Sequence, residues 1–135
     1  MGKTELYKIR PIENLKDMLS QSVSFLGDCA AFRKIGQNGQ TSSITYKAFA
    51  ADVSALGTTL PELGFKNKKI AVVGENRYEW CVTYLSVVNG VGTIVPIDRE
   101  LPADDFKNLL KQSDASAVVF SEKCLDVVKS VQEEA

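Results

Sequence analysis

KIAVVGENRYEWCVTYLSVVNGVGTIVPID, residues Lys69–Asp98, decides how this chain folds. It opens with a short continuous apolar run, Lys69–Val73, of the kind buried on both faces of a sheet. Gly74, Glu75, Asn76 and Arg77 then break the run. From Tyr78 to Asn89 the residues are apolar nearly all round a helix, through Trp80, Cys81, Val82, Tyr84, Leu85, Val87 and Val88. Such a helix is expected between other elements rather than on a surface. Gly90 and Gly92 mark a turn, and Thr93–Ile97 is a second apolar run. Strand, helix and strand in that order make a parallel βαβ unit, whose crossover is right-handed.

The pattern repeats downstream. Pro102 opens a helix whose first turn carries Asp104 and Asp105, complementing the helix dipole, and whose buried stripe is Phe106, Leu109 and Leu110. A third apolar run, Ala117–Phe120, follows. A last helix starts near Ser121 or Glu122 and uses Leu125, Val128 and Val131. Upstream, Ile12, Leu15, Met18, Leu19, Val23 and Leu26 trace one helical face over residues 12–26, with Pro11 in the first turn. Ala30–Lys34 and Ser42–Thr45 flank Gly36-Gln-Asn-Gly39 and read as a short β-hairpin. Thr45 is the expected N-cap of a helix burying Tyr46, Phe49, Val53, Leu56 and Leu60. That helix should be complete by Thr59, because Pro61 clashes with the preceding turn. The predicted fold is α/β: an open, doubly wound, mostly parallel sheet flanked by helices, with a small N-terminal β-hairpin. Residues 1–135 make one partial domain, without internal repeats or flexible linkers.

Composition removes several classes of function. Lys and Arg number 16 against 17 Asp and Glu, a near balance that supplies no basic face for nucleic acid. Lys66, Lys68 and Lys69 read as a solvated turn before a strand. With no His, the segment holds no imidazole base, His metal ligand or Ser-His or Cys-His pair. Cys29, Cys81 and Cys124 are widely spaced and odd in number, which argues against a zinc or redox motif and for a reducing, cytoplasmic compartment. Cys81 is expected as a small buried hydrophobe. No apolar run approaches the roughly 18–20 residues that cross a bilayer, and the N-terminus has no signal-like apolar stretch.

Ligands of open parallel sheets collect beyond the carboxyl ends of the strands. Those ends carry Gly74-Glu75-Asn76-Arg77, Asp98-Arg99-Glu100 and Ser121-Glu122. A dinucleotide reading fails, because Gly74 stands alone and Glu75 would set a carboxylate beside the phosphates. Glu75 and Asp98 could form an acid/base pair, but strand-end carboxylates more commonly cap turns or face water. Asn76 is expected to bond neighbouring backbone and fix the turn into the next helix. Trp80, on an apolar helix between two strands, is expected in the core rather than in a substrate pocket.

The wording GENRYEW, then NGVGTIVPID, LP and SDASAVVFSE, resembles the N-terminal domain of AMP-forming acyl-CoA synthetases. Upstream, TYKAFAADVSALGTTLPELG is similar to their early helix, and ENLKDMLSQSVSFLGDCAAF to the entry segment of the long-chain fatty acid-CoA ligase branch. Order and spacing over almost the whole chain carry the likeness, not a catalytic motif. The resemblance implies a two-step reaction: a carboxylate attacks the α-phosphate of Mg-ATP to give an acyl adenylate and pyrophosphate, then the CoA thiol displaces AMP. ATP, Mg and CoA are thus implied for the full-length parent, with a fatty acid as substrate and the remainder of the ligase chain as partner. None of these ligands is expected on this piece.

The family's Ser/Thr-Gly-Thr-Thr-Gly-x-Pro-Lys-Gly loop is absent from the chain. So are its Tyr-Gly-x-Thr-Glu and Thr-Gly-Asp segments and its C-terminal catalytic Lys. Carried over position by position, the resemblance assigns no catalytic, cofactor-binding or metal-binding residue. Gly74, Asn76, Trp80, Gly90, Pro96 and Pro102 match as scaffold positions. Two departures stand out: Pro61 interrupts a helix that usually runs unbroken, and Asn67-Lys68-Lys69 replaces a common Gly-Asp-Arg or Gly-Asp-Lys turn. The expectation is an inactive scaffold fragment of a cytoplasmic ligase. Peripheral membrane contact of the parent is compatible with its substrate but unsupported by any basic amphipathic helix here. The isolated piece is expected to dimerise or aggregate through exposed sheet edges. The competing readings are a free-standing, non-catalytic α/β interaction module, and a fragment of another adenylating enzyme: aryl-CoA, luciferase-like or amino-acid adenylating.

Overall fold

The computed structural model describes residues 6–134. Helix α1, Leu15–Leu26, begins where Asn14 accepts the Asp17 N–H at 2.8 Å. Residues 11–13 therefore precede the helix, and Ile12 is exposed rather than part of its buried face. Pro11 instead offers its carbonyl to Gln21 Nε2. The hairpin is β1, Ala30–Ile35, paired antiparallel with β2, Thr41–Thr45, and forms a separate two-stranded sheet.

Thr45 caps α2, Tyr46–Glu62, by accepting the Ala48 N–H at 3.1 Å. This helix continues through Pro61 instead of ending by Thr59. Its stop lies further on. The Phe65 N–H donates to Leu60 O and the Gly64 N–H to Pro61 O, each at 3.0 Å, with Gly64 at φ +91°. Those two bonds form the Schellman closure, and Phe65 packs in one cluster with Leu60, its usual apolar contact. Pro61 is the next-to-last residue of the helix, so the bond it removes, to the carbonyl of Gly57, leaves almost no helix beyond it to disrupt.

Strand β3, Lys69–Val73, is central in a three-stranded parallel sheet of order β4-β3-β5, where β4 is Thr93–Pro96 and β5 is Ala117–Phe120. Its residues Ile70, Ala71, Val72 and Val73 are at most 2% exposed. The apolar runs of β4 and β5 are only partly covered, because each has a neighbouring strand on one side alone.

Helix α3, Tyr78–Ser86, is shorter than its apolar pattern suggested. It passes into a π-helical turn, Val87–Val91, in which Gly90 adopts φ +153°. The wider turn buries both Val87 and Val91 against Ile70 and Leu60. Gly92 then runs so close to the preceding turn that an added Cβ would lie 2.0 Å from Lys68 O.

Helix α4, Ala103–Ser113, has Pro102 at its N-cap and buries Phe106 and Leu110, whereas Leu109 is exposed. A 3-10 turn, Glu122–Cys124, leads into α5, Leu125–Gln132. Helices α4 and α5 cover one sheet face through Ala71, Val73, Phe106, Leu110, Cys124 and Val131. The π-helical turn and the end of α2 cover the other. A further cluster of Leu19, Phe49, Val53 and Val82 joins α1, α2 and α3 beneath the hairpin. Buried Ser86 ties α3 to α2, its hydroxyl donating to Val53 O at 2.9 Å.

Candidate functional site

The place to look for chemistry is the carboxyl end of the parallel sheet, where β3 and β5 finish side by side. A cleft of about 210 Å³ opens there. Its floor is Val73, Gly74, Val119 and Phe120, and Trp80 and Thr83 of α3 form one wall. Gly74 sits in a tight place: a Cβ would lie 3.1 Å from the Ser121 side chain, which would have to give by a few tenths of an ångström.

Glu75 enters this cleft as its main charged group. One carboxylate oxygen lies 3.4 Å from Lys123 Nζ, and the other is buried without a hydrogen-bond partner among the described residues. The Ser121 hydroxyl, then backbone N–H, then Lys123 hold the Glu75 carboxyl down to about 2. The Ser121 hydroxyl itself donates to Cys124 Sγ at 3.5 Å. Glu75 is thus an ionised acceptor that clips the end of β3 to the start of the β5–α5 connection. Such a group cannot serve as a general acid near neutral pH, and its low basicity makes it a poor base.

Asp98 does different work. Its Oδ1 accepts the Glu100 N–H at 2.9 Å and shapes its own turn. Each carboxylate of the suggested pair has a structural partner of its own. Helix α3 opens at Arg77 with no side-chain cap, so Asn76 does not hold that turn as expected. Trp80 also departs from its expected core position: it is half-buried, lines the cleft and stacks on Tyr84 at 5.4 Å between ring centroids. The reason is local. Helix α3 turns Val82 and Ser86 into the protein, and its Trp80–Tyr84 flank overlooks the β5 side, where no further strand among the described residues covers it. Cys81 is half-buried, and burial pushes its thiol pKa up, away from reactivity.

A second aromatic group lies beneath the hairpin. Phe32 meets Phe49 and Tyr78 edge-on at 4.9 and 5.0 Å, and the Tyr78 hydroxyl donates to Asp52 Oδ2 at 2.6 Å. Burial and the Asp52 bond raise the Tyr78 pKa. These contacts bind hairpin, α2 and α3 together. Lys66, Lys68 and Lys69 are exposed around a turn, as a solvated cluster should be. Among the described residues, no group of three or more His, Cys, Asp or Glu could hold a metal ion. Among the same residues, no helix is long and apolar enough to cross a membrane.

A triphosphate does not fit this cleft. Its lining offers no succession of Gly or Ser/Thr amides, and its charges are mostly of the wrong sign: Glu75, Glu79 and Glu122 against Arg77. No step of nucleotide chemistry follows from the residues present.

Comparison with known proteins places the architecture. The N-terminal domain of FACL13 from Mycobacterium tuberculosis, solved with an inhibitor, superposes with a TM-score of 0.79 at 21% identity, over 92% of this chain and 31% of that one. The anthranilate CoA ligase AuaEII, solved with anthranoyl-AMP, gives a TM-score of 0.78 at 15% identity, over 93% of this chain and 23% of the other. At those identities the likeness is one of fold. Among curated sequences, 4-hydroxybutyrate--CoA ligase 2 of Metallosphaera sedula is 27% identical over 94 residues, covering 69% of this chain. The matched stretch amounts to only 17% of that ligase, so this chain spans a small part of its relative's length. Residues 22–135 match the AMP-binding enzyme family, and the chain belongs to that family.

Proposed function

We propose that this chain is the leading scaffold of the N-terminal domain of an AMP-forming acyl-CoA ligase, and that it is inactive by itself. The observation that carries the reading is a division within the chain. Residues 22–135 match the adenylate-forming family, yet the phosphate loop and catalytic Lys of that family are missing from the sequence. ATP, Mg and CoA belong to the parent enzyme, bound by segments outside this one. Its role here is mechanical: β3, β4 and β5 with their helices form a wall against which the nucleotide-binding parts are assembled.

A long-chain fatty acid is the substrate we favour, on the wording of residues 13–32 and on a fold shared with fatty acyl-CoA synthetases. The M. sedula relative, named for a short hydroxy acid, and the anthranilate ligase keep other acyl and aryl acids as the second reading. Location in the cytoplasm, with or without membrane contact, is part of the same proposal.

The test has two arms. The coding sequence downstream of Ala135 should continue into a ligase frame containing the phosphate loop. The 135-residue chain mixed with ATP, Mg²⁺, CoA and palmitate should release no pyrophosphate, whereas the longer protein should. Turnover by the short chain defeats the claim of inactivity. A longer protein that turns over benzoate but not palmitate defeats the substrate claim alone.

A further inference from the structure

We propose that the outer edge of β1 and the start of α3 form a docking groove for an extended acidic segment of a partner protein, taken up as a third strand of the hairpin sheet. This goes beyond the scaffold reading above and does not depend on it. Three observations point to the groove and to the chemistry of its occupant.

The first is an unpaired strand edge. Among the described residues β1 pairs with β2 alone, and a two-stranded sheet has little stability of its own. The Gly36 N–H donates to Gln40 O at 2.7 Å, and Ile35 lies opposite Thr41, Lys34 opposite Ser42 and Arg33 opposite Ser43. Bonded and non-bonded pairs alternate along an antiparallel ladder, so Lys34 turns its amide to β2 while Arg33 and Ile35 turn theirs outward. Residues 33–35 of β1 and 41–43 of β2 are exposed, so this end of the hairpin stands clear of the protein body.

The second is the hollow beside that edge, of about 630 Å³, which lies between β1 and the first turn of α3. Phe32 and Lys34 line it from the hairpin, and Arg77, Trp80 and Cys81 from the helix. Phe32 and Lys34 share one face of the strand, and both lie against Tyr78: the Phe32 ring is 5.0 Å from it between centroids, and Lys34 Nζ is 5.4 Å from its centroid. Arg33 and Ile35 take the opposite face, where Ile35 is 81% exposed. A strand added along β1 would lay one side on Lys34 and Trp80 and set the other beside Arg33 and Ile35.

The third is charge. The groove carries Arg33, Lys34 and Arg77 against Glu79. Glu79 lies 3.9 Å from Lys34 Nζ and 3.4 Å from Arg77 Nε, so one carboxylate is shared between two cations. The balance stays positive when Asp52, which accepts the Tyr78 hydroxyl, is counted as well. Acidic side chains complement such a groove. A second copy does not: two β1 edges laid antiparallel would set Arg33 and Lys34 of one copy against those of the other. A nucleic acid would meet the charge and leave the strand amides without partners.

Fluorescence anisotropy of the whole protein with a labelled peptide of alternating Glu and Val tests the inference. Affinity should fall by about ten-fold or more in Arg33→Glu, and likewise in Ile35→Pro, which removes an outward amide and no hairpin bond. The Lys/Val counterpart and an N-methylated copy of the Glu/Val peptide should bind more weakly by a similar factor. Where Ile35→Pro loses the hairpin by circular dichroism, the N-methylated copy alone separates strand pairing from charge. If that copy or inorganic polyphosphate binds as well as the Glu/Val peptide, the groove is only a patch of charge and the proposal is overturned. Failure of the Glu/Val peptide to bind at low salt overturns it too, because the groove is then closed to a partner. A dimer of the whole protein that Ile35→Pro dissociates would assign the edge to a second copy, again against the proposal. None of these outcomes touches the ligase reading, which pyrophosphate release decides.

Discussion

Asn67 shows how one residue can carry a turn that demands left-handed backbone. It sits at φ +58°, in the left-handed region, and its N–H donates to Val91 O at 2.6 Å. Asn tolerates that conformation better than any residue with a bulkier Cβ environment, and Gly tolerates it best. Asn67→Ala should therefore destabilise by about 1–2 kcal/mol, whereas Asn67→Gly should stay within about 0.5 kcal/mol of the parent sequence. Urea denaturation of the two variants checks the contrast, and equal losses would show that the Asn side chain matters more than its backbone. Glu75 gives a pH dependence. Its carboxyl is held down from 4.5 to about 2 in the folded chain, so the native state favours the ionised form. That contribution is complete above about pH 4.5 and is lost as pH falls towards 2. Glu75→Gln should flatten this acid limb while leaving the remaining carboxylates to titrate; thermal midpoints at several pH values between those limits decide. The residue types at the sheet's carboxyl end were legible in the sequence. Their partners were not, because the Glu75–Lys123 and Gly74–Ser121 contacts join segments separated by nearly fifty positions.

Among the elements, the errors of the sequence reading lie where helices begin and end: local caps decided two of them and tertiary packing the third. Asn14, not Pro11, starts α1, because a side-chain oxygen that accepts the Asp17 N–H satisfies an orphan donor that Pro merely omits. Helix α3 ends early because Gly90 permits a π-helical turn that buries two valines at once. Periodicity located every strand of the parallel sheet, since short continuous apolar runs have few alternatives between helices. It could not foresee that α2 would survive Pro61. The Schellman closure at Gly64 explains that survival and is testable. Gly64→Ala would force a Cβ into φ +91° and should cost about 1 kcal/mol, seen as a lower urea midpoint with an unchanged slope. If the loss is absent, the Phe65–Leu60 contact alone stops the helix, and Phe65→Ala should carry the whole effect.

At the scale of the molecule, the charge balance, the fold and the exposed apolar surface lead to one behaviour in solution. The net charge of -1 gives copies of the chain almost no mutual repulsion. Tyr7 and Ile9, in the segment ahead of α1, are 97% and 91% exposed, and Phe25 and Ile35 stand free on α1 and β1. Arg10 lies over the Phe25 ring at 4.2 Å, which sets the N-terminal segment beside that apolar surface without covering it. Add the open β5 edge, and the isolated chain exposes two features that drive association: unpaired strand amides and several exposed large apolar side chains. The 135-residue chain should therefore self-associate, its mass by light scattering rising across roughly 10 µM to 1 mM. Phe120→Asp places a charge at the exposed end of β5 and should shift that rise to higher concentration; Phe25→Asp, on α1, separates the contribution of the N-terminal surface. A monomer of constant mass throughout would mean that neither edge nor patch is sticky enough to matter. Association relieved by Phe25→Asp but untouched by Phe120→Asp would place it on the N-terminal surface, with the sheet edge a bystander.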